Sequence, residues 1–581
     1  MKFSYLASFA MVAVVLSSCG GLNKMKETVG TLKPTVTPEV LEMKGGKVEV
    51  AISGNFPPKF FNKKAILEVT PVLKYTNGET AYPTVAFQGE KVQANNKVIK
   101  YKEGGDYSLG GTVDYNKDMM VSDLILKLTA SVKDKKVDWG TIKIANGVKA
   151  TASLVVKDPK ALTMKDNFQR VTGDSYEADI LYLMNKANVR PTELNKEEVK
   201  KLREYIKNAA SDSQKRQLSN IVISAYASPD GPQSLNANLA NERKVSADKF
   251  LKEFLSEKAA KKGKKASKKE TLNSKMDSLF SMMSTPEDWD GFKDLMEKSD
   301  IKDKDLVLRV LSMYSDPDVR EREIRNISKA FEEIADKILP QLRRSKMIAK
   351  INVIGKSDEQ LKQLSASNPD SLNLEELLYA ASLTNDNDTK LSIYQAAEKK
   401  YPDDVRVKNN LGYTYLQLNK IADAKSSFEA AKAIKDDDII RNNLGCVALL
   451  EGDNKAAENL FTSAAAAGSA VNYNLGIVKI ISGDYPSAVN YFGNANEVNA
   501  GLAKLLNGQY DAAITTLGNA PECPLGYYLK AVAASRSGNN DVMFSNLRSA
   551  VAKDASYKAY AQKDVEFLKF FNDATFKSIV Q

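Results

Sequence analysis

The chain of 581 residues contains no histidine and three cysteines, Cys19, Cys446 and Cys523. Without imidazole there is no Ser–His or Cys–His nucleophile pair, no histidine general base and no histidine metal ligand. No two cysteines stand at CxxC spacing, which removes a zinc ribbon and a dithiol redox site. Carboxylate and lysine chemistry remain, yet no paired-acid motif, P-loop or GxSxG elbow is present. The chain therefore reads as a non-enzyme, with no cofactor and no metal. The side chains that still offer chemistry fall in three places. Cys19 carries a thiol at the end of an apolar leader. Arg243, with Ser228, Asp230 and Asn236 nearby, offers a guanidinium fork that suits a carboxylate through two parallel charge-assisted bonds. Asn409, Asn442 and Asn472 or Tyr473 stand in a repetitive region, near its inner face, and can grip a peptide backbone.

Elements must place these groups. Met1-Lys2 is followed by the apolar or small stretch Phe3–Leu16, which has signal-peptide length and is too short for a stable membrane span. It runs into Leu16-Ser17-Ser18-Cys19-Gly20, which resembles the lipobox of bacterial lipoproteins. The resemblance implies cleavage of residues 1–18 and acylation of Cys19, with residues 19–37 as linker. Two or more acyl chains hold a protein stably on a bilayer, at about 0.8 kcal/mol per buried CH₂. Gly20-Gly21-Leu22-Asn23-Lys24 lacks the acidic residues that send some such lipoproteins to the cell surface, so the periplasmic face of the outer membrane is expected.

Residues 38–157 are strand-like. Val48, Val50 and Ile52 alternate with Lys47, Glu49 and Ala51, and turn signals stand at Gly45-Gly46, Asn77-Gly78, Gly104-Gly105 and Gly110-Gly111. This pattern predicts a β-sandwich, immunoglobulin-like in its run of short strands.

Further on, Ile180–Met184 reads as a buried strand. A helix is expected from Asn195 as N-cap, with Glu198 completing a capping box and Val199, Leu202 and Ile206 on its apolar face. A strand Ile221–Ala227, a turn through Pro229-Asp230-Gly231-Pro232 and a second helix follow, with Leu239, Ala247, Phe250, Leu251 and Phe254 on one face. Tyr226-Ala227-Ser228, Gly231, Asn236, Leu239 and Arg243 fall in register with the peptidoglycan-binding domain of the OmpA family, which this segment resembles. The resemblance implies that Arg243 holds a diaminopimelate carboxylate. Ser228 stands where the family has an Asp, so peptidoglycan binding is weakened by about 1.5–3 kcal/mol unless Asp230 substitutes. The α+β OmpA-like domain spans 165–360. A helical insertion is expected over 255–345, with the stripe Ile324, Ile327, Phe331, Ile334 and Ile338 ended by Pro340, and Met347–Ile354 reads as the last strand.

From Leu374 the chain is helical and repetitive. Asn-Leu-Gly recurs at 410–412, 443–445 and 474–476; twelve residues after each Gly stands Ala, and sixteen after stands Phe (Phe428, Phe461, Phe492). This resembles the tetratricopeptide repeat, two helices per unit of about 34 residues. It predicts an all-α solenoid over 371–555 with a C-terminal tail at 556–581. Cys446 and Cys523 read as small packing residues.

The fold class is multidomain α and β, and the function class is a lipid-anchored scaffold. Its expected partners are outer-membrane lipid through Cys19, peptidoglycan through the OmpA-like domain and proteins through the repeats. The alternative is an assembly or secretion factor whose OmpA-like domain binds protein. The net charge of +10 lies partly in the run Lys261–Lys269, which lacks aromatics and reads as a solvated loop, so nucleic acid is not expected.

Overall fold

A computed structural model describes residues 21–211, 214–261 and 278–581. The leader, Cys19 and most of the lysine run lie outside the described residues. The chain divides into two compact units, one formed by the segments up to Asp166 and from Thr384 onward, the other by Asn167–Leu383. No helix among the described residues is long and apolar enough to cross a membrane.

The first unit begins with two sheets. One runs Thr35–Thr37, Lys47–Phe56, Leu41–Lys44, Val148–Lys149, with Gly105–Asp114 also paired to Lys47–Phe56. The other runs Lys135–Asn146, Ser122–Val132, Ile66–Tyr75, Val85–Gly89, Lys97–Ile99, with Gly78–Ala81 also on Ile66–Tyr75. Alternation sets the inward faces: Val48, Val50 and Ile52 from one sheet and Leu124, Leu126 and Leu128 from the other are all buried in one core. Leu22, Met25 and Val29 of the helical residues 21–29 close that core. Gly110-Gly111, read as a turn, lies instead inside Gly105–Asp114 opposite Ala51 and Val50. The backbone at Gly110 has φ +154° and lies so close to the Val50 carbonyl that a Cβ has no room.

The same unit contains the paired helices of the C-terminal region, from Asn387–Lys400 through Asn540–Lys553. Each glycine of the Asn-Leu-Gly motif meets the phenylalanine sixteen residues on. A Cβ at Gly412, Gly445 or Gly476 would lie 2.7, 2.6 and 2.6 Å from the ring of Phe428, Phe461 or Phe492. The missing side chain is what lets the two helices of a repeat close on the ring. Residues 556–581, read as a tail, are helical, with Phe567, Phe576 and Val580 buried in the core that also holds the sheets. Arg536 of the helix Pro524–Ser537 ties this end down: it donates to Glu42 of the first sheet at 2.6 Å and to the buried Glu566.

The second unit is a four-stranded sheet in the order Val171–Leu181, Arg344–Ile354, Arg216–Tyr226, Phe280–Thr285. Only the last pair is parallel. Glu197–Ser211 and Gln233–Lys261 pack on it through Val199, Leu202, Ile206, Ala247 and Leu251. Asn195 does not cap the first of these helices; it ends the short turn Pro191–Leu194. The first strand stops at Leu181, so Leu183 and Met184 are exposed and not buried as the apolar run suggested. Within 255–345 the chain is not helical throughout, because Phe280–Thr285 joins the sheet beside Arg216–Tyr226. The helices from Trp289 to Leu342 then form a core of their own around Phe292, Met296, Ile324 and Ile334. The stripe from Ile324 to Ile338 belongs to two helices, Pro317–Arg325 and Ser328–Lys337, and Pro340 sits in the first turn of the next one. Proline is tolerated there because the first-turn N–H has no intrahelical acceptor.

Candidate functional site

The first helices of successive repeats are Val405–Gln417, Asp438–Glu451, Ser469–Ser482 and Val498–Leu506. In each, an asparagine stands two residues before the glycine: Asn410, Asn443, Asn474 and Asn499. Two residues turn a helix by about 200°. The glycine faces its partner helix, so the asparagine faces the other way, into the groove of the solenoid.

That groove holds residues 156–164 of the same chain, which have no helix or strand of their own. The grip is bidentate, on alternate residues from Lys160 to Met164 and once more at Val156. The Met164 N–H donates to Asn410 Oδ1 at 2.8 Å, and Asn410 Nδ2 donates to the Met164 carbonyl at 2.9 Å. Asn443 treats Leu162 in the same way at 2.7 and 2.7 Å. Asn474 treats Lys160 so at 2.7 and 3.1 Å. Asn499 holds Val156 at 2.9 and 2.8 Å. A carboxamide carries the same donor and acceptor as a peptide group, so each asparagine pairs with the segment much as a neighbouring strand would. Because an extended chain repeats every second residue, Lys160, Leu162 and Met164 all turn the same edge toward the solenoid.

A second row fixes the first. Asn409 donates to the Leu162 carbonyl at 3.1 Å, and Asn442 to the Lys160 carbonyl at 3.0 Å. Their own oxygens accept from Asn443 and Asn474 of the following repeat, both at 2.9 Å. Side chains add selectivity at one end. Asp158 accepts from Tyr473 Oη at 2.8 Å and from Asn499 at 3.0 Å, while Lys160 Nζ lies 4.0 Å from the centroid of the Tyr473 ring and pairs with Glu497. Burial raises the Asp158 carboxyl above its ordinary range, with the Tyr473 hydroxyl acting against it.

Of the residues expected on the inner face, Asn409 and Asn442 touch the segment; at the third position Tyr473 touches it, through Asp158 and Lys160, while Asn472 is exposed. Asn472 stands four residues before its glycine and so falls near the glycine side of the helix. The residues that carry the grip stand two before the glycine, inside the Asn-Leu-Gly motif itself. Their signal was that Asn stays at this position even at Asn499, where Phe has given way to Leu517.

In the second unit, the turn that resembles the OmpA family is closed on itself. Arg243 is 1% exposed. Its guanidinium donates to the carbonyls of Tyr226 at 2.8 Å, Lys186 at 3.0 Å and Leu183 at 3.4 Å, and lies over the Tyr182 ring. Desolvation pulls its pKa down to about 10, so it stays charged at neutral pH. No fork is left for a ligand carboxylate in this conformation. Asp230 is committed too: Arg343 donates to its Oδ2 at 2.7 Å, and Ser228 donates to its Oδ1. Arg343 Nε also donates to Ser228 Oγ at 3.1 Å, so both residues expected to meet a ligand ammonium meet an arginine instead. Asn236 braces the turn, donating to the Gly231 carbonyl at 3.0 Å. Arg243, expected to present its charge to a ligand, instead serves main chain: the carbonyl of Tyr226 at a strand end and those of Leu183 and Lys186 in the loop beyond Leu181 take its donors.

Cys446 is buried beside Asn474 and Asn442, with its thiol pushed up by burial. Cys523 caps the helix Pro524–Ser537, its Sγ accepting from the Gly526 N–H at 3.3 Å. No group of three or more His, Cys, Asp or Glu side chains among the described residues is placed to hold a metal.

Residues 405–438 match the family model of the tetratricopeptide repeat. Those residues form one tetratricopeptide repeat, and the helix pairs around them resemble it in their glycine–phenylalanine packing. Solved structures of such proteins resemble the chain at low identity. A tetratricopeptide repeat protein from Parabacteroides merdae is 12% identical, covering 36% of this chain and 90% of its own, with a TM-score of 0.28. The C-terminal part of a repeat-containing protein from Cytophaga hutchinsonii is 15% identical, covering 36% and 92%, at 0.27. Yeast Tom70 is 12% identical, covering 66% and 88%, at 0.27. The repeat assignment rests on the family match and on the glycine–phenylalanine packing, not on these scores. No curated protein matches the chain.

Proposed function

We propose that the protein is a non-catalytic scaffold of the cell envelope that assists the assembly of other proteins, held at the periplasmic face of the outer membrane by acyl chains on Cys19. The asparagine ladder carries this reading. It holds extended main chain through paired donors and acceptors, with side-chain contacts confined to Asp158 and Lys160, a chemistry that suits binding of extended protein chain. The resemblance of Leu16–Cys19 to a lipobox supports the anchor.

For the second unit we take the assembly reading over the wall tether. The OmpA-like resemblance of Tyr226 to Arg243 supports a shared fold, while the closed Arg243 and the Asp230–Arg343 pair argue against capture of a stem-peptide carboxylate and ammonium. The partners we propose are proteins and lipid.

Sedimentation with purified sacculi tests the choice. The wild-type chain is expected to stay in the supernatant. Retention on sacculi that is lost in Arg243→Ala, with folding intact, would reinstate the wall tether. Mass analysis of the mature N-terminus tests the anchor separately, with a diacylglyceryl cysteine as the expected result.

A further inference from the structure

An open cleft of about 600 Å³ in the first unit is lined by Lys24, Lys59, Lys63, Lys64 and Lys91, with Gly21 at its rim. Its described lining contains no carboxylate. Lys63 is paired with Glu90 at 2.9 Å and lies 5.4 Å from the centroid of the Tyr101 ring, so it is held in place. Lys24, Lys59, Lys64 and Lys91 are exposed. Lys59 stands exposed on a loop whose backbone is tied to Tyr101. Lys59 takes a left-handed backbone at φ 68°, fixed by its N–H donating to the Tyr101 carbonyl at 2.6 Å. Such a conformation is unfavourable for a residue with a Cβ and persists only where surrounding contacts impose it.

We infer that this cleft is a docking surface for the phosphates of an anionic lipid bilayer. The inference rests on acylation of Cys19 for its geometry. Cys19 precedes Gly21 by two residues, and an extended chain spans about 3.3–3.6 Å per residue. A bilayer that holds the acyl chains therefore lies within about 7 Å of the cleft rim, inside one Debye length (about 8 Å) at physiological salt. Lysines at that distance feel a screened but still attractive part of the surface potential. Their placement around one cleft lets several phosphates be met together, which orients the first unit against the membrane and does not merely tether it.

The test uses the mature chain beginning at position 19 with Cys19→Ser, so that acyl chains contribute nothing. It is sedimented with vesicles of phosphatidylcholine alone and of phosphatidylcholine with one quarter phosphatidylglycerol. Binding to the second and not the first, falling steeply with added salt, is the expected result. The charge-reversed variant Lys59→Glu/Lys64→Glu/Lys91→Glu should lose all measurable binding to these vesicles with an unchanged melting curve. The milder Lys59→Gln/Lys64→Gln/Lys91→Gln variant should lose less and guards against a folding defect. Equal binding to both vesicles, or no effect of either variant, overturns the inference. So does full competition by millimolar inorganic phosphate, which would assign the cleft to a small soluble anion. An unacylated natural N-terminus would remove the anchor reading without altering the vesicle result, so the two failures are distinguishable.

Discussion

Asn443 and Arg243 are both buried polar side chains whose hydrogen bonds end on main chain, but the main chain comes from different places. Arg243 serves carbonyls of nearby strand ends and loops in its own unit, at Tyr226, Lys186 and Leu183. Those groups cannot leave without unfolding the unit around them. Asn443 serves Leu162, separated from it by 281 residues of sequence and belonging to a segment with no secondary structure of its own. The helix pairs of the solenoid close on glycine and phenylalanine, contacts in which that segment takes no part. The comparison separates two meanings of a satisfied polar group: one is part of a core, the other is an occupied binding groove.

The largest effect is expected at Arg243. Replacing it by Ala leaves three carbonyls without their donors and opens a cavity, at a cost on the order of 3 kcal/mol. The two tryptophans make this separable, since Trp139 lies in the first unit and Trp289 in the second. In a Trp139→Phe background, denaturation followed by Trp289 fluorescence should shift strongly with Arg243→Ala. No shift would break the comparison, because it would mean the arginine is dispensable to its own unit.

Asn443→Ala with Asn474→Ala comes next. It removes the pairing with Leu162 and Lys160 and should cost the first unit about 2 kcal/mol, with the segment released and the solenoid still helical by circular dichroism. Loss of the helical signal would contradict the idea of a separable occupant. Gly445→Ala serves as the control for packing alone. Its Cβ meets the Phe461 ring at 2.6 Å, so a cost of about 1–2 kcal/mol is expected without preferential release of the segment.

The smallest effect is in pH dependence, and it again divides the two places. Asp158 has its folded pKa raised by partial desolvation against the solenoid, so the folded state holds its proton more tightly than the unfolded chain. Its contribution to holding the segment is fully present below the unfolded carboxylate value and is lost as pH rises through the folded one. Asp158→Asn should therefore tighten the segment at pH 7, and its advantage should vanish in acid. Arg243, lowered to about 10, should give no slope between pH 5 and 9, and its unit should gain stability only as pH climbs past that value. Amide exchange across pH in both units checks both signs.

Sequence alone carried the architecture of the repeats because it is written in residue size. Gly412, Gly445 and Gly476 must be small for Phe428, Phe461 and Phe492 to fit, and a sixteen-residue spacing shows this without coordinates. The alternation of Val48, Val50 and Ile52 similarly foretold a buried sheet face. The occupant of the groove was hidden for the opposite reason. Residues 158–164 lie between regions that look folded, carry no periodic pattern, and are recognised through backbone atoms, which every sequence possesses. Arg243 was legible as a motif position, but its environment was not, since the carbonyls it serves depend on where the strands end. Leu183 and Met184 show the same limit: an apolar run reads as strand until the register of its neighbour stops it at Leu181.

Hydrogen exchange resolved at single residues along 160–164 of the full-length chain tests the central claim most directly. The ladder holds the N–H groups of Lys160, Leu162 and Met164, while those of Ala161 and Thr163 point away from it. The account predicts alternation, with slow exchange at the even positions and fast exchange at the odd ones, abolished by Asn410→Ala/Asn443→Ala/Asn474→Ala. Uniformly fast exchange across all of these amides in the wild-type chain would mean that the groove is empty in solution, and the account would be wrong.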